Sequence, residues 1–141
     1  MLGNGERMIA AEVSIRVRYQ ETDQMGVVYH ANYFTWFESA RIELLDHMKC
    51  PYLKLEKMGF LLPVIQCEAK FLKPAKFDDR LVVRVSINKV PAARITISYE
   101  VFHDEVLLCT GQTIHAFVDR SGRLVRPPND FLDCAKKYFK K

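Results

Sequence analysis

Several features that would place this chain in a large class are missing from it. No stretch approaches the roughly 20 consecutive apolar residues of a membrane-spanning helix, so no span is expected. Met1 to Arg7 is polar and glycine-containing, without the apolar centre of a secretory signal peptide. Residues 1–10 read as a flexible leader before a single domain over 11–141, with Met8 as an alternative start. Cysteine is sparse and unpatterned: Cys50, Cys67, Cys109 and Cys134 make no CxxC pair and no zinc-like spacing. Cys67 and Cys109 fall inside strand-like stretches, which predicts reduced, buried thiols and a cytoplasmic location. His47, His103 and His115 are too scattered for a metal site, and no metal or cofactor is expected. Charge of one sign is also lacking. The balance of 21 Lys and Arg against 17 Asp and Glu leaves a net charge of +4, dispersed rather than gathered into the basic face of a nucleic-acid binder. Such an excess suits an anionic small molecule and equally suits plain solubility. There are no internal repeats and no low-complexity tracts. What remains is 141 residues, 49% of them hydrophobic, enough for one domain with one core.

The patterning divides that domain into elements. Glu12 to Tyr19 alternates strictly, with Val13, Ile15, Val17 and Tyr19 on one face, so a half-buried strand is expected with Tyr19 pointing inward. A loop over 20–29 contains Gly26. From about Ala31 to Lys49 the period becomes helical. Tyr33, Phe37, Ala40, Leu44 and Met48 form a stripe widened by Phe34, Trp36, Ile42 and Leu45, which predicts a helix enclosed by other structure. Asn32 is its expected N-cap, and Pro51 closes the segment. A link over Glu56 to Leu62 contains Gly59 as a helix stop. Four strand-like stretches follow at 63–73, 80–88, 94–103 and 106–118, with short connections that favour antiparallel pairing. Pro127-Pro128 stops the last strand, and Asn129 is expected to cap a short C-terminal helix. An α+β architecture follows: a five-stranded antiparallel sheet wrapped around one long central helix, with exposed edge strands open to pairing between subunits.

The chemistry gathers where the first strand gives way to the long helix. Asp23, Gly26 and His30 bring a carboxylate, a turn and an imidazole to the mouth of that helix, whose first N–H groups have no partner within it. Free N–H groups with a helix dipole behind them suit a developing oxyanion. A carboxylate beside them can attack a carbonyl or deprotonate water. A turn or capping role for Asp23 and a structural role for His30 are the plain alternatives. No GxSxG serine and no Cys–His pairing competes as nucleophile.

These segments resemble a known family. Arg18 to Asp23, Gly26 to Tyr33, Trp36 to Arg41, and later Phe71 to Asp79 look like the hotdog-fold acyl-CoA thioesterases, most closely the 4-hydroxybenzoyl-CoA thioesterase type with its short acyl-CoA hydrolases linked to the Tol-Pal envelope system. The likeness covers nearly the whole domain, from about Val13 to the C-terminal helix. It implies hydrolysis of a CoA thioester without a cofactor, Asp23 as the key carboxylate, and the backbone N–H of His30 on the thioester oxygen. It implies a homo-oligomer, a dimer or a dimer of dimers, with sheets joined edge to edge and active sites between subunits. Tyr19 then positions Asp23, lines the acyl pocket or simply packs. Tyr33, Phe34 and Phe37 line the acyl pocket or the core. Lys70, Lys73, Lys89 and Arg94 are candidates for the CoA phosphates by charge and position near strand ends, and Glu38 is expected to pair with Arg41 or Arg18. Two rival functions stay open: a hotdog dehydratase or hydratase using Asp23 and His30 as an acid–base pair, and a non-catalytic acyl-CoA binding module or scaffold.

Overall fold

The computed structural model describes residues 8–139. Strands β1 (Ile9–Arg16), β2 (Val64–Phe71), β3 (Arg80–Ile87), β4 (Ile95–His103) and β5 (Val106–His115) form one sheet in the order β1-β3-β4-β5-β2. Every neighbouring pair is antiparallel. Alternation makes one face of this sheet apolar: Leu81, Val83, Val85 and Ile87 of β3, and Ile95, Ile97, Tyr99 and Val101 of β4, are all buried.

Helix α1 (Asn32–His47) lies on that face and buries Tyr33, Trp36, Phe37, Ala40, Leu44 and Leu45. Phe37 marks its seat. The ring stacks on Tyr99 with centroids 4.3 Å apart and lies over Gly111, where a Cβ would overlap it. The helix ends because Lys49 turns left-handed, at φ 66. The Cys50 N–H then reaches back to the Leu45 carbonyl at 3.0 Å, closing the end in a Schellman motif. A short helix α2 (Tyr52–Lys57) and the C-terminal α3 (Asn129–Lys136) complete the chain. Gly59, at φ 94, ends the turn after α2.

The expected sheet around a helix is present, and several local readings are corrected. Strand β1 begins at Ile9, which is fully buried, so it reaches into the segment read as a leader; residues 1–7 of that segment lie outside the described residues. The strand stops at Arg16, and the chain leaves the sheet before its alternation can carry Tyr19 inward. Tyr19 is 76% exposed, edge-on to Phe77 at 5.4 Å. Residues 52–57 are helical. The N-caps of α1 and α3 are Ala31 and Pro128, with Asn32 and Asn129 as first helical residues. Cys109 is buried as expected but Cys67 is exposed, because β2 is an edge strand whose residues are nearly all open. Glu38 makes no ion pair with Arg41 or Arg18: Arg41 donates to the Tyr99 hydroxyl, and Arg18 lies 3.7 Å from Glu21.

Candidate active site

Beyond Arg16 the chain is tied to the β2–β3 loop, with Val17 N–H donating to the Asp79 carbonyl and Asp78 N–H to that of Val17, both at 3.0 Å. A 3-10 turn over Tyr19–Glu21 follows. Its last residue is the pivot of the site. Glu21 is 5% exposed; its carboxylate accepts the Arg18 N–H at 2.7 Å and the Trp36 indole N–H at 2.9 Å. The Glu21 carbonyl accepts Tyr29 N–H at 2.9 Å and the Asn32 side-chain amide at 2.8 Å. A buried carboxylate with two N–H donors, and an arginine beside it, is compensated. It moors the whole loop to the first two turns of α1.

Between those moorings, Asp23 opens a three-residue hairpin turn. Asp23 N–H donates to the Val27 carbonyl at 2.9 Å, and Gly26 N–H to that of Asp23 at 3.0 Å. Gly26, at φ 81, supplies the left-handed residue this turn needs. One carboxylate oxygen of Asp23, Oδ1, accepts the Met25 N–H at 2.8 Å. The other has no donor among the described residues. Val28 N–H, bonded to the Ala75 carbonyl at 2.9 Å, fastens the far arm to the β2–β3 loop.

The helix start opposite is left unsatisfied. Asn32, Tyr33 and Phe34 donate to the carbonyls of Tyr29, His30 and Ala31. Among the described residues, the N–H groups of His30 and Ala31 find no acceptor. These are orphan donors at the positive end of a 16-residue helix.

A cleft of about 550 Å³ separates the two, lined by Asp23, Val27, Val28, His30 and Tyr33 on one side and Phe71 to Pro74 on the other. The His30 ring packs on Tyr29 at 4.4 Å and edge-on to Phe71 at 6.1 Å. Tyr33 meets Phe71 at 5.1 Å, and burial pushes its hydroxyl up to about 12, so it stays a neutral phenol. The fold therefore brings Asp23, His30, Tyr33 and Lys73 to one cleft. Tyr19 stands outside it, and Phe37 is wholly in the core. Lys70 alternates with Phe71 and sits on the opposite face of the sheet, in a separate depression with Arg84 and Glu100. Lys89 and Arg94 follow β3, an eight-residue strand away from the cleft, about 23 Å at 3.3 Å per residue. Among the described residues no group of three or more His, Cys, Asp or Glu side chains is placed to hold a metal ion.

Sequence reasoning missed Glu21, because its partner Trp36 lies 15 positions away and no local pattern links them. It also missed a buried polar line through Arg41, Tyr99, Thr113 and His115, whose members sit on three different elements.

With this geometry in hand, the comparison with known families is decisive: residues 17–134 match the thioesterase-like superfamily. The chain belongs to that family. It is an enzyme of the thioester-hydrolysing type with the hotdog fold. Among its relatives is the acyl-CoA thioester hydrolase YbgC of Escherichia coli, 31% identical over 108 residues, covering 74% of this chain and 79% of that protein. Among solved structures, a DHNA-CoA thioesterase from Staphylococcus aureus superposes with a TM-score of 0.86 at 29% identity, over 91% of this chain and 89% of the other. A protein from Thermus thermophilus superposes equally well, at 0.86 and 33% identity, over 91% and 98%. This superfamily member has no helix among its described residues long and apolar enough to cross a membrane.

Proposed function

We propose that the chain hydrolyses acyl-CoA thioesters, with the Asp23 carboxylate as nucleophile or general base and the His30 backbone N–H polarising the carbonyl. One observation carries this reading: the unsatisfied helix-start N–H and the half-free Asp23 carboxylate belong to the same cleft. A thioester carbonyl set between them has its oxygen on a donor and its carbon open to attack. If Asp23 attacks directly, its oxygen bonds the carbonyl carbon, the carbon–sulfur bond breaks, the CoA thiolate leaves, and water cleaves the resulting anhydride. If Asp23 acts as base, it takes a proton from water, whose oxygen makes the same bond. An N–H donor to the oxyanion is worth on the order of 2.7–4 kcal/mol in the barrier by either route. Lys73 on the cleft wall is the cation offered to the CoA phosphates.

The reading extends to the finer likeness with the 4-hydroxybenzoyl-CoA thioesterase type, to a cytoplasmic location and to a homo-oligomer. The edge strand β2 supports the last point, with unpaired backbone on its outer side and Val64, Ile65 and Phe71 exposed.

The test is release of CoA thiol from a panel of acyl- and aroyl-CoA substrates by the native chain and by Asp23→Asn. Loss of about a hundredfold or more in kcat is expected, as for a catalytic carboxylate. Equal activity of the two proteins would remove Asp23 from the mechanism and bring the dehydratase and binding-module readings forward. Labelled oxygen found in the Asp23 side chain after a single turnover in heavy-oxygen water identifies the anhydride route with water attacking the aspartyl carbon, because the general-base route places the label in the product acid alone.

A further inference from the structure

The buried polar line lies under the middle of α1. His115 is fully buried; its Nδ1 is 3.1 Å from the Pro63 carbonyl and 3.3 Å from that of Leu62. Carbonyls only accept, so Nδ1 carries the proton and Nε2 is an acceptor. The Thr113 hydroxyl, 2.8 Å from Nε2, therefore donates to it. Tyr99, with its hydroxyl 2.7 Å from Thr113 Oγ1, donates in turn, and Arg41 donates to the Tyr99 oxygen at 3.2 Å. Every proton in the line runs the same way, away from Arg41. Such a line holds the guanidinium in one place from behind.

In front of it is a second pocket, about 440 Å³, whose apolar walls include Ile42, Leu45, Leu62, Val64 and Ile97. Arg41 is half-buried there. Among the described residues, no carboxylate lies within ion-pair distance of its guanidinium, although Glu38 lines the same pocket. A guanidinium has five N–H donors, and the line behind it uses one.

This pocket touches Val64, the first residue of β2, whereas the Asp23 cleft touches Phe71, the last. Seven strand steps, about 23 Å, are too far for one acyl group within a single chain. Antiparallel pairing of β2 with a second copy reverses the strand and removes that distance. A two-fold axis at Ala69 sets Glu68 opposite Lys70 of the partner subunit, and Lys70 opposite Glu68 of the partner subunit, two opposite-charge pairs. The same register sets Pro74, on the wall of the Asp23 cleft, opposite Val64 of the partner subunit.

We propose that Arg41 of the partner subunit determines acyl specificity, donating its free N–H groups to an oxygen at the far end of an acyl group whose thioester carbon lies at Asp23. The proposal rests on the thioesterase reading and adds to it an acyl end that bears an acceptor rather than plain hydrocarbon.

Two substrate pairs test it: benzoyl-CoA with 4-carboxybenzoyl-CoA, and hexanoyl-CoA with adipoyl-CoA, each with the native chain and with Arg41→Met. The variant keeps most of the side chain's bulk and removes every donor. The oxygen-bearing member of each pair is expected to lose at least tenfold more kcat/KM than its plain counterpart, chiefly through KM, about the worth of one charge-assisted hydrogen bond. Equal losses within each pair mean a purely structural arginine and overturn the proposal while leaving the thioesterase reading intact. No turnover of any substrate by the native chain overturns both. A mixed dimer of one Asp23→Asn and one Arg41→Met subunit then places the arginine. It keeps one site with both native residues only if they come from different subunits, so about half the native activity, with native selectivity, is expected. Failure to recover it overturns the arrangement across subunits. Should Arg41→Met not fold, Arg41→Gln, which keeps a polar group beside Tyr99 but removes the charge and the guanidinium fork, takes its place in the substrate comparison with the same outcomes.

Discussion

At the scale of single residues, Asp23 shows how a turn former can be offered to chemistry. Its backbone closes a hairpin turn and its Oδ1 accepts from Met25, which is all that an aspartate in a turn needs. The second oxygen is left over, and that remainder faces no competitor among the described residues. Glu21, two positions earlier, is the acidic residue whose loss the fold should feel. Glu21→Ala strands the Trp36 indole N–H and the Arg18 N–H, so unfolding free energy is expected to fall by about 2–3 kcal/mol, measured from urea titrations. Glu21→Gln should lose less, since its one side-chain oxygen serves one of the two donors. A change below about 0.5 kcal/mol for Glu21→Ala would mean that the loop is held by something else. Among the thiols, Cys109 is pushed up to about 12 and Cys50 to about 11 by burial. Both stay protonated at neutral pH, which removes them as nucleophiles.

At the scale of elements, the site depends on where α1 begins, and that is decided by how deeply its middle is seated. Phe37 enters a slot between Tyr99 and Gly111, and this contact sets the helix at one height over the sheet. Gly111 is required by the closeness of that ring, not by its backbone angles. Gly111→Ala forces the phenyl ring off a stacked position in a filled core, an overpacking expected to cost about 1–3 kcal/mol. The helix start would shift with it, so thermal stability and kcat should fall together. A variant with native melting temperature and native turnover would show that the slot has room to spare. The edge strand β2 is the other decisive element. Its two ends touch two different pockets, and its exposed backbone makes those ends available to another copy of itself.

At the scale of the whole molecule, the line from Arg41 to Pro63 ties α1, β4, β5 and the entry to β2 into one polar unit inside an apolar core. Its titratable end carries a pH signature. Burial, and after it the Arg41 charge, lowers His115 from 6.5 to about 4. Between those values the unfolded chain binds a proton that the folded chain does not. The His115 contribution is therefore complete above about pH 6.5 and is lost as pH falls towards 4, by about 3 kcal/mol in all. Denaturant midpoints taken from pH 7 to pH 4 should fall more steeply for the native chain than for His115→Asn. Parallel profiles would show that His115 is not held neutral in the core.

Much of this protein is determined by sequence alone, because local chemistry suffices where partners are near in the chain. Alternation in β3 and β4, and the order Asp23, Gly26, His30 at a helix mouth, each act over a few residues, and each is found where its pattern places it. The apolar stripe of α1 is buried too, except that Ile42 is 40% exposed on an outer face the sheet leaves open. Tyr19 shows the limit of that logic. Alternation predicts its direction only while the strand lasts, and the strand ends where Val17 pairs with Asp78 and Asp79, some 60 residues on. Cys67 was misplaced for a related reason, since strand character says nothing about whether a strand lies inside a sheet or at its edge. The Glu21–Trp36 mooring and the Arg41–Tyr99–Thr113–His115 line were decided only by tertiary structure. Hydrogen bonds between distant residues depend on the distance and direction that folding creates, and no spacing along the chain encodes them.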